Sequence, residues 1–266
     1  IRLLHFVDKR RIDIDDYLAI RSLSDKEKFD YCCEQSLLHY NENKFSEALQ
    51  AIKKALAIRT EPWLFGQCGM LLLFNHEYDQ AIHYFNLAQD KQTMEPEMYV
   101  MRADAYSALG QNILALRDCD KAEIEGCSDV YLCQIKAQAL YAMQRFEKAI
   151  PYFQKAQKKL SDDIIFRGKL INCYVYTGSF DLALKEAEKL ERQAPNDYFV
   201  VGLIILVLLK TKKIDFAGIK CERYIRVNAS SKTVDETLKE FAEKAKGWDA
   251  EHHGQDWVTF EEKRRA

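Results

Sequence analysis

Apolar side chains in this chain recur three, four and seven positions apart, which gathers them on one face of an α-helix. Within that pattern a short phrase returns: an aromatic or aliphatic residue, two others, then alanine and a further apolar residue. It reads Phe45-Ser-Glu-Ala48-Leu, Tyr78-Asp-Gln-Ala81-Ile, Phe146-Glu-Lys-Ala149-Ile and Phe180-Asp-Leu-Ala183-Leu, with weaker copies at 112–115 and 214–217. The six alanines stand 33, 34, 34, 34 and 34 residues apart. Other slots keep the same register. Twelve residues before each alanine lie Ser36, Gly69, Ala103, Ala137, Ile171 and Ile205, the first four small enough for two helices to cross closely. Four after lie Ile52, Phe85, Cys119, Phe153, Ala187 and Cys221, and seven after lie Ala55, Ala88, Ala122, Ala156, Leu190 and Tyr224. Each period therefore predicts two antiparallel amphipathic helices. A tight turn joins them at Gly110 or Gly178, or at the polar equivalents Asn43, His76, Gln144 and Lys212.

The ends of the helices carry their own signals. Ser24 with Glu27 reads as a capping box. Thr60 and Pro62 fit an N-cap followed by proline in the first turn, and Ser128 before Asp129 reads as another cap. After the sixth copy, residues 233–246 place Val234, Leu238, Phe241 and Ala245 on one face, as a terminal helix covering the last repeat would.

These residues resemble the tetratricopeptide repeat over roughly residues 29–229, with Pro195 matching the family's proline near the end of the fifth copy. The resemblance implies an all-α, right-handed superhelical solenoid of about six helix-turn-helix units with a C-terminal capping helix. The organisation expected is an N-terminal strap or lead-in segment over 1–24, the repeat array over 25–229, the capping helix over 230–248 and a tail over 249–266. The last two copies depart from the pattern, with bulky residues in the small slots.

In the family the first helix of each unit lines a concave surface. Projecting those helices puts five residues per unit towards it, among them Asp30, Cys33 and Leu37, Gly66 and Leu73, Glu97, Val100 and Asp104, and Gly168 and Val175. The partner-binding residues expected are Tyr40, Trp63, Met70, Phe74, Tyr131, Gln134, Gln138, Tyr141, Asn172, Tyr176 and Phe199. Aromatic anchors with amides beside them suit an extended peptide or a helix of another protein. Some relatives clamp acidic chaperone tails with Lys, Arg and Asn. The corresponding places here hold Cys33, Leu37, Gln67, Glu97 and Met101, so a chaperone acidic-tail clamp is not expected. The sixth unit is apolar on nearly every face over 200–209, and needs a cover. The tail, with Trp248, Trp257 and Phe260, is the expected cover, with a partner as the alternative, and homo-association through this unit is open.

Composition narrows the function. Thirty-nine basic residues against forty-one acidic ones leave no basic excess for nucleic acid. Ten glycines and four prolines are few for a strand-rich chain of 266 residues. Of the eight cysteines, Cys32 and Cys133 share one slot of the repeat and Cys119 and Cys221 another, as small apolar side chains, which fits a reducing, cytoplasmic setting. No stretch is apolar for the twenty or so residues of a membrane span, and 1–7 is too short for a secretory signal. The first residue is Ile rather than Met, as in a piece of a longer protein.

Chemistry is sparse. Gly66 and Gly69 lack the lysine and spacing of a phosphate loop, and read as close-packing positions. Asp13, Asp15 and Asp16 lack the glycine and closing glutamate of a calcium loop. No Cys or His pair has zinc spacing, and no histidine has a nucleophile at a recognisable local spacing. The expectation is a protein–protein interaction module, an adaptor or scaffold, with no catalytic residue, no cofactor and no metal. The alternative is a recognition or regulatory domain of an enzyme lying outside this chain.

Overall fold

A computed structural model of the chain describes residues 13–19, 23–159, 163–195 and 197–228, together with Glu236 and Glu240. Among the described residues there are thirteen continuous helices and no strand. A short α1 (Ile14–Leu18) comes first. The other twelve follow in sequence as six pairs: α2 (Asp25–Asn41) and α3 (Phe45–Ile58), α4 (Trp63–Phe74) and α5 (Tyr78–Asp90), α6 (Pro96–Ala108) and α7 (Asn112–Ile124). Then come α8 (Val130–Ala142) and α9 (Phe146–Gln157), α10 (Ile164–Tyr176) and α11 (Phe180–Gln193), and α12 (Tyr198–Lys210) and α13 (Ile214–Val227). This is the all-α helical repeat array that the period predicts. Two compact units divide it, residues 1–143 and 144–266.

The turn inside each pair is one device used six times. Three residues link the helices, and the middle one takes the left-handed conformation: Asn43, His76, Gly110, Gln144, Gly178 and Lys212, with φ between 58° and 72°. These are the six turn positions read from the sequence. In five of them the amide after the left-handed residue donates to a carbonyl five residues back at 2.8–2.9 Å, as Lys44 does to His39 and Ser179 to Tyr174. That closure satisfies helix-end carbonyls and fixes the reversal.

Helix starts follow a second rule. The Ser24–Glu27 capping box is present. Asp129, Asp163 and Asp197, each 34 residues from the next, accept from the amides of Leu132, Phe166 and Val200 at 2.7, 2.9 and 3.1 Å. The cap before α8 is thus Asp129 and not Ser128. Thr60 caps nothing, because α4 starts only at Trp63 with Pro62 in the cap position and no side-chain bond there.

Packing inside each unit explains the slots. All six phrase alanines are fully buried. In the first unit a Cβ added to Gly69 would lie 2.8 Å from Phe85 Cδ1, so the α4–α5 crossing has room for glycine only. The same two slots in the second unit hold Ile171 with Ala187, and Ile205 with Cys221, all buried. The bulk has moved from one helix of the pair to the other, which is how the bulky residues of the last two copies fit. Two clusters of polar groups that enter the core are bonded internally. Arg102 donates to both oxygens of Asp118, at 2.6 and 2.9 Å, and to Asn86 at 2.7 Å. In the second unit Glu186 accepts from Lys189 at 2.6 Å and from Gln157 at 3.1 Å, with Arg167 at 3.5 Å.

The expected capping helix at 230–248, the tail at 249–266 and most of the expected strap at 1–24 lie outside the described residues. Glu236 and Glu240, one turn apart, are helical, and Tyr198 Oη donates to Glu240 Oε1 at 3.5 Å. Eight residues of α12 are buried, in keeping with an all-apolar helix.

Candidate functional site

In the first unit α2, α4 and α6 each bury one face on the second helix of their own pair and show the other. In the first unit α2, α4, α6 and α8 lie in order, each touching the next. Phe29 meets Trp63 edge-on at 6.5 Å, and Tyr40 meets Phe74 at 6.1 Å, joining α2 to α4. Gly66 sits against the Met98 side chain, joining α4 to α6. Tyr131 Oη donates to Asp104 Oδ2 at 2.5 Å, joining α6 to α8. The result is a ribbon of four helix faces.

The open side of that ribbon is set by which residues stay uncovered. On α4 they are Trp63, Gln67, Met70 and Phe74, four residues at helical spacing, while Gly66 and Leu73 are buried. On α6 Val100 is buried and Met101 partly open. The exposed face is therefore turned by about one residue from the projected one, so Gln67, Met101 and Glu34 belong to it. The signal for this was the run of apolar residues through α4: Gln67 is its only polar side chain, and it marks the open side.

Three large apolar side chains stand out on this face. Leu37 is 62% exposed, Trp63 43% and Phe74 36%. Tyr40 and Phe45 pack against Phe74, at 6.1 and 4.9 Å between ring centres. Met70, Gln134, Gln138 and Tyr141 are half-buried. Tyr131 is also half-buried, and its hydroxyl is committed to Asp104. Burial pushes the Asp104 carboxyl above its ordinary range, partly offset by the Tyr131 hydrogen bond. Burial and the neighbouring Asp104 charge push the Tyr131 phenol up. Tyr131 thus holds two helices together.

Charge on the open side is mainly acidic, with the exposed Lys26 one turn before Asp30 at the start of α2. Over the stretch that the four helices share, it carries Asp30, Glu34, Glu97 and Asp104 and no exposed Lys or Arg. Cys33, between Asp30 and Glu34, has its thiol pushed up to about 11, by burial first, then by the adjacent Cys32 and by Asp30 and Glu34.

In the second unit the corresponding face is more closed. A Cβ on Gly168 would lie 2.5 Å from Phe199 Cε1, so the Phe199 ring lies over α10. Asn172, one turn further along α10, is 7% exposed and offers little surface to a partner. Tyr176 stacks on Phe146 at 4.3 Å and 12°. The eleven residues expected from the sequence are thus divided between the units, and the two exposed aromatics among them, Trp63 and Phe74, lie in the first. Among the described residues no three His, Cys, Asp or Glu gather as a metal site, and no helix is long and apolar enough to cross a membrane.

Residues 136–198 match the family model of the tetratricopeptide repeat. No curated protein matches the chain in sequence. Solved structures match the fold. YrrB, described as a tetratricopeptide-repeat protein with an unusual peptide-binding site, is 18% identical with a TM-score of 0.62, over 74% of this chain and 99% of that one. A tetratricopeptide-repeat protein from Parabacteroides merdae is 17% identical with a TM-score of 0.60, over 85% of this chain and 88% of that one. MamA from Desulfovibrio magneticus is 17% identical with a TM-score of 0.56, over 65% of this chain and 98% of that one.

Proposed function

We propose that this chain is a tetratricopeptide-repeat protein and, on that premise, a protein–protein interaction module, an adaptor or scaffold subunit that holds a segment of another protein on the open face of α2, α4, α6 and α8. The observation carrying this reading is the exposed set Leu37, Trp63 and Phe74, three large apolar side chains on two adjoining helices. Scattered exposed apolar residues are ordinary, but a contiguous group on a rigid ribbon is how interaction sites present themselves. Trp is also among the residues that most often dominate binding energy. Gln67, Gln134 and Gln138 along the same face suit a peptide backbone, since each amide offers both donor and acceptor. YrrB, with its peptide-binding site, supports the reading by analogy of fold alone. Seven buried cysteines acting as small apolar side chains support a reducing compartment, in keeping with a cytoplasmic protein.

The test compares proteins captured from a matched lysate by the intact chain, by Trp63→Ala with Phe74→Ala, and by the control Ile124→Ala. Ile124 is 86% exposed at the end of α7, a second helix of its pair. A partner kept by the intact chain and the control, and lost by the double variant with helical content unchanged, supports the reading. A partner list indifferent to Trp63 and Phe74 moves the site elsewhere.

A further inference from the structure

Equivalent slots of the first three first helices hold Asp30, Trp63 and Glu97, spaced 33 and 34 residues apart, so an exposed indole lies in one row between two exposed carboxylates. Among the described residues, Asp30, Glu34 and Glu97 have no salt-bridge partner, although other carboxylates of this unit do, such as Asp118, Asp120 and Glu123. Rings elsewhere in the unit already have a cation over them. Arg59 lies 5.0 Å from the Phe29 ring, and Lys121 lies 4.2 Å from the Tyr99 ring. Trp63 has none among the described residues, although indole attracts cations most strongly. The long-range field has the same sign: residues 23–143 carry eighteen Asp and Glu against eleven Lys and Arg.

Resting on the groove reading above, we propose that the segment received by this face is a cationic amphipathic peptide. Its Arg or Lys lies over Trp63 within reach of Asp30 or Glu97, and its apolar side chains seat on Leu37, Met70 and Phe74. Charge complementarity selects this occupant. An acidic segment would bring like charges beside Asp30, Glu34, Glu97 and Asp104, which opposes binding, whereas a basic one meets unpaired carboxylates and an unoccupied ring. The apolar side chains supply affinity, and the charges supply choice of partner and rate of encounter.

The experiment selects peptides from a random twelve-residue display library on the immobilised full chain. The enriched peptides are then measured by fluorescence anisotropy against the intact chain, Trp63→Ala, Trp63→Phe and the triple variant Asp30→Asn, Glu34→Gln, Glu97→Gln. All of these positions are exposed, and circular dichroism checks that each variant folds. The expected result is a net-positive set with interspersed Leu, Phe or Trp. Affinity should fall about tenfold or more in Trp63→Ala, less in Trp63→Phe, and roughly three- to tenfold in the triple variant, with a weaker salt dependence there. Neutral or acidic winners that still need Trp63, or basic winners indifferent to the triple variant, overturn the cationic proposal and leave the groove reading standing. Winners indifferent to Trp63, or no winners, overturn both. A rise in solution mass with concentration that Trp63→Ala abolishes would put a second copy on this face, and would also overturn the proposal.

Discussion

Gly66 and Gly69 lie three residues apart on α4, and a methyl group at either would meet a neighbour at under 3 Å. The neighbours differ in what they can do. At Gly66 they are the terminal atoms of Met98, which can swing aside. At Gly69 they belong to the fully buried Phe85 ring, which cannot. Since alanine favours a helix over glycine by about 1 kcal/mol, Gly66→Ala should be neutral or slightly stabilising. Gly69→Ala should cost about 1–3 kcal/mol through overpacking, and urea unfolding of both variants checks the contrast. Tyr131 invites a second substitution. Removing its hydroxyl in Tyr131→Phe leaves the half-buried Asp104 carboxylate without that donor, at a cost of about 1–3 kcal/mol near pH 7. Asp104 already has a folded-state pKa above its unfolded value of 3.8, so the stability it contributes is present in acid and is lost as pH rises through the folded value. The variant raises that folded value further. Its deficit should therefore shrink once Asp104 is protonated, and unfolding curves at neutral pH and near pH 4 would show it.

At the scale of elements, the within-pair turn accepts any side chain its copy supplies, but not equally well. Glycine holds the left-handed residue at 110 and 178, while Lys212 adopts φ 58° with a side chain that disfavours it. Lys212→Gly should raise stability by roughly 0.5–1 kcal/mol, read as a higher urea midpoint at unchanged slope. These turns also show what the sequence made legible. The period, the six reversals, the buried alanines and the close-crossing slot could be read directly, because each is fixed by backbone geometry repeated in register. The orientation of the open face could not. It depends on which neighbour leans over which helix, as when Phe199 covers Gly168 beside a buried Asn172, or when Asp104 engages Tyr131. The aspartate caps were visible at their 34-residue spacing. At one of them residue type alone does not choose the cap, because Ser128, an equally good cap former, stands directly before Asp129.

For the whole molecule, the cysteines report on how the array comes apart. Six lie in the first unit and two, Cys173 and Cys221, in the second. Burial pushes the thiols of Cys68, Cys119, Cys173 and Cys221 up to about 12. Thiolates are the reactive form, so the native protein should resist alkylation at neutral pH while full denaturation gives eight adducts. If the units melt as separate cooperative blocks, intermediate urea should yield sets of two or six adducts by mass spectrometry; a continuous ladder would argue against such blocks. The two kinds of connection differ in another respect. Every turn within a pair has three residues, but the links between pairs vary: four residues separate α3 from α4, five separate α5 from α6, and five separate α7 from α8. The reversals keep one length while the links vary, and the four-residue link between α3 and α4 falls within the 33-residue spacing. A tag, a fluorophore-bearing loop or a guest domain spliced into 91–95 or 125–129 should leave the helices on either side in register, whereas the same insertion at 75–77 would misalign them.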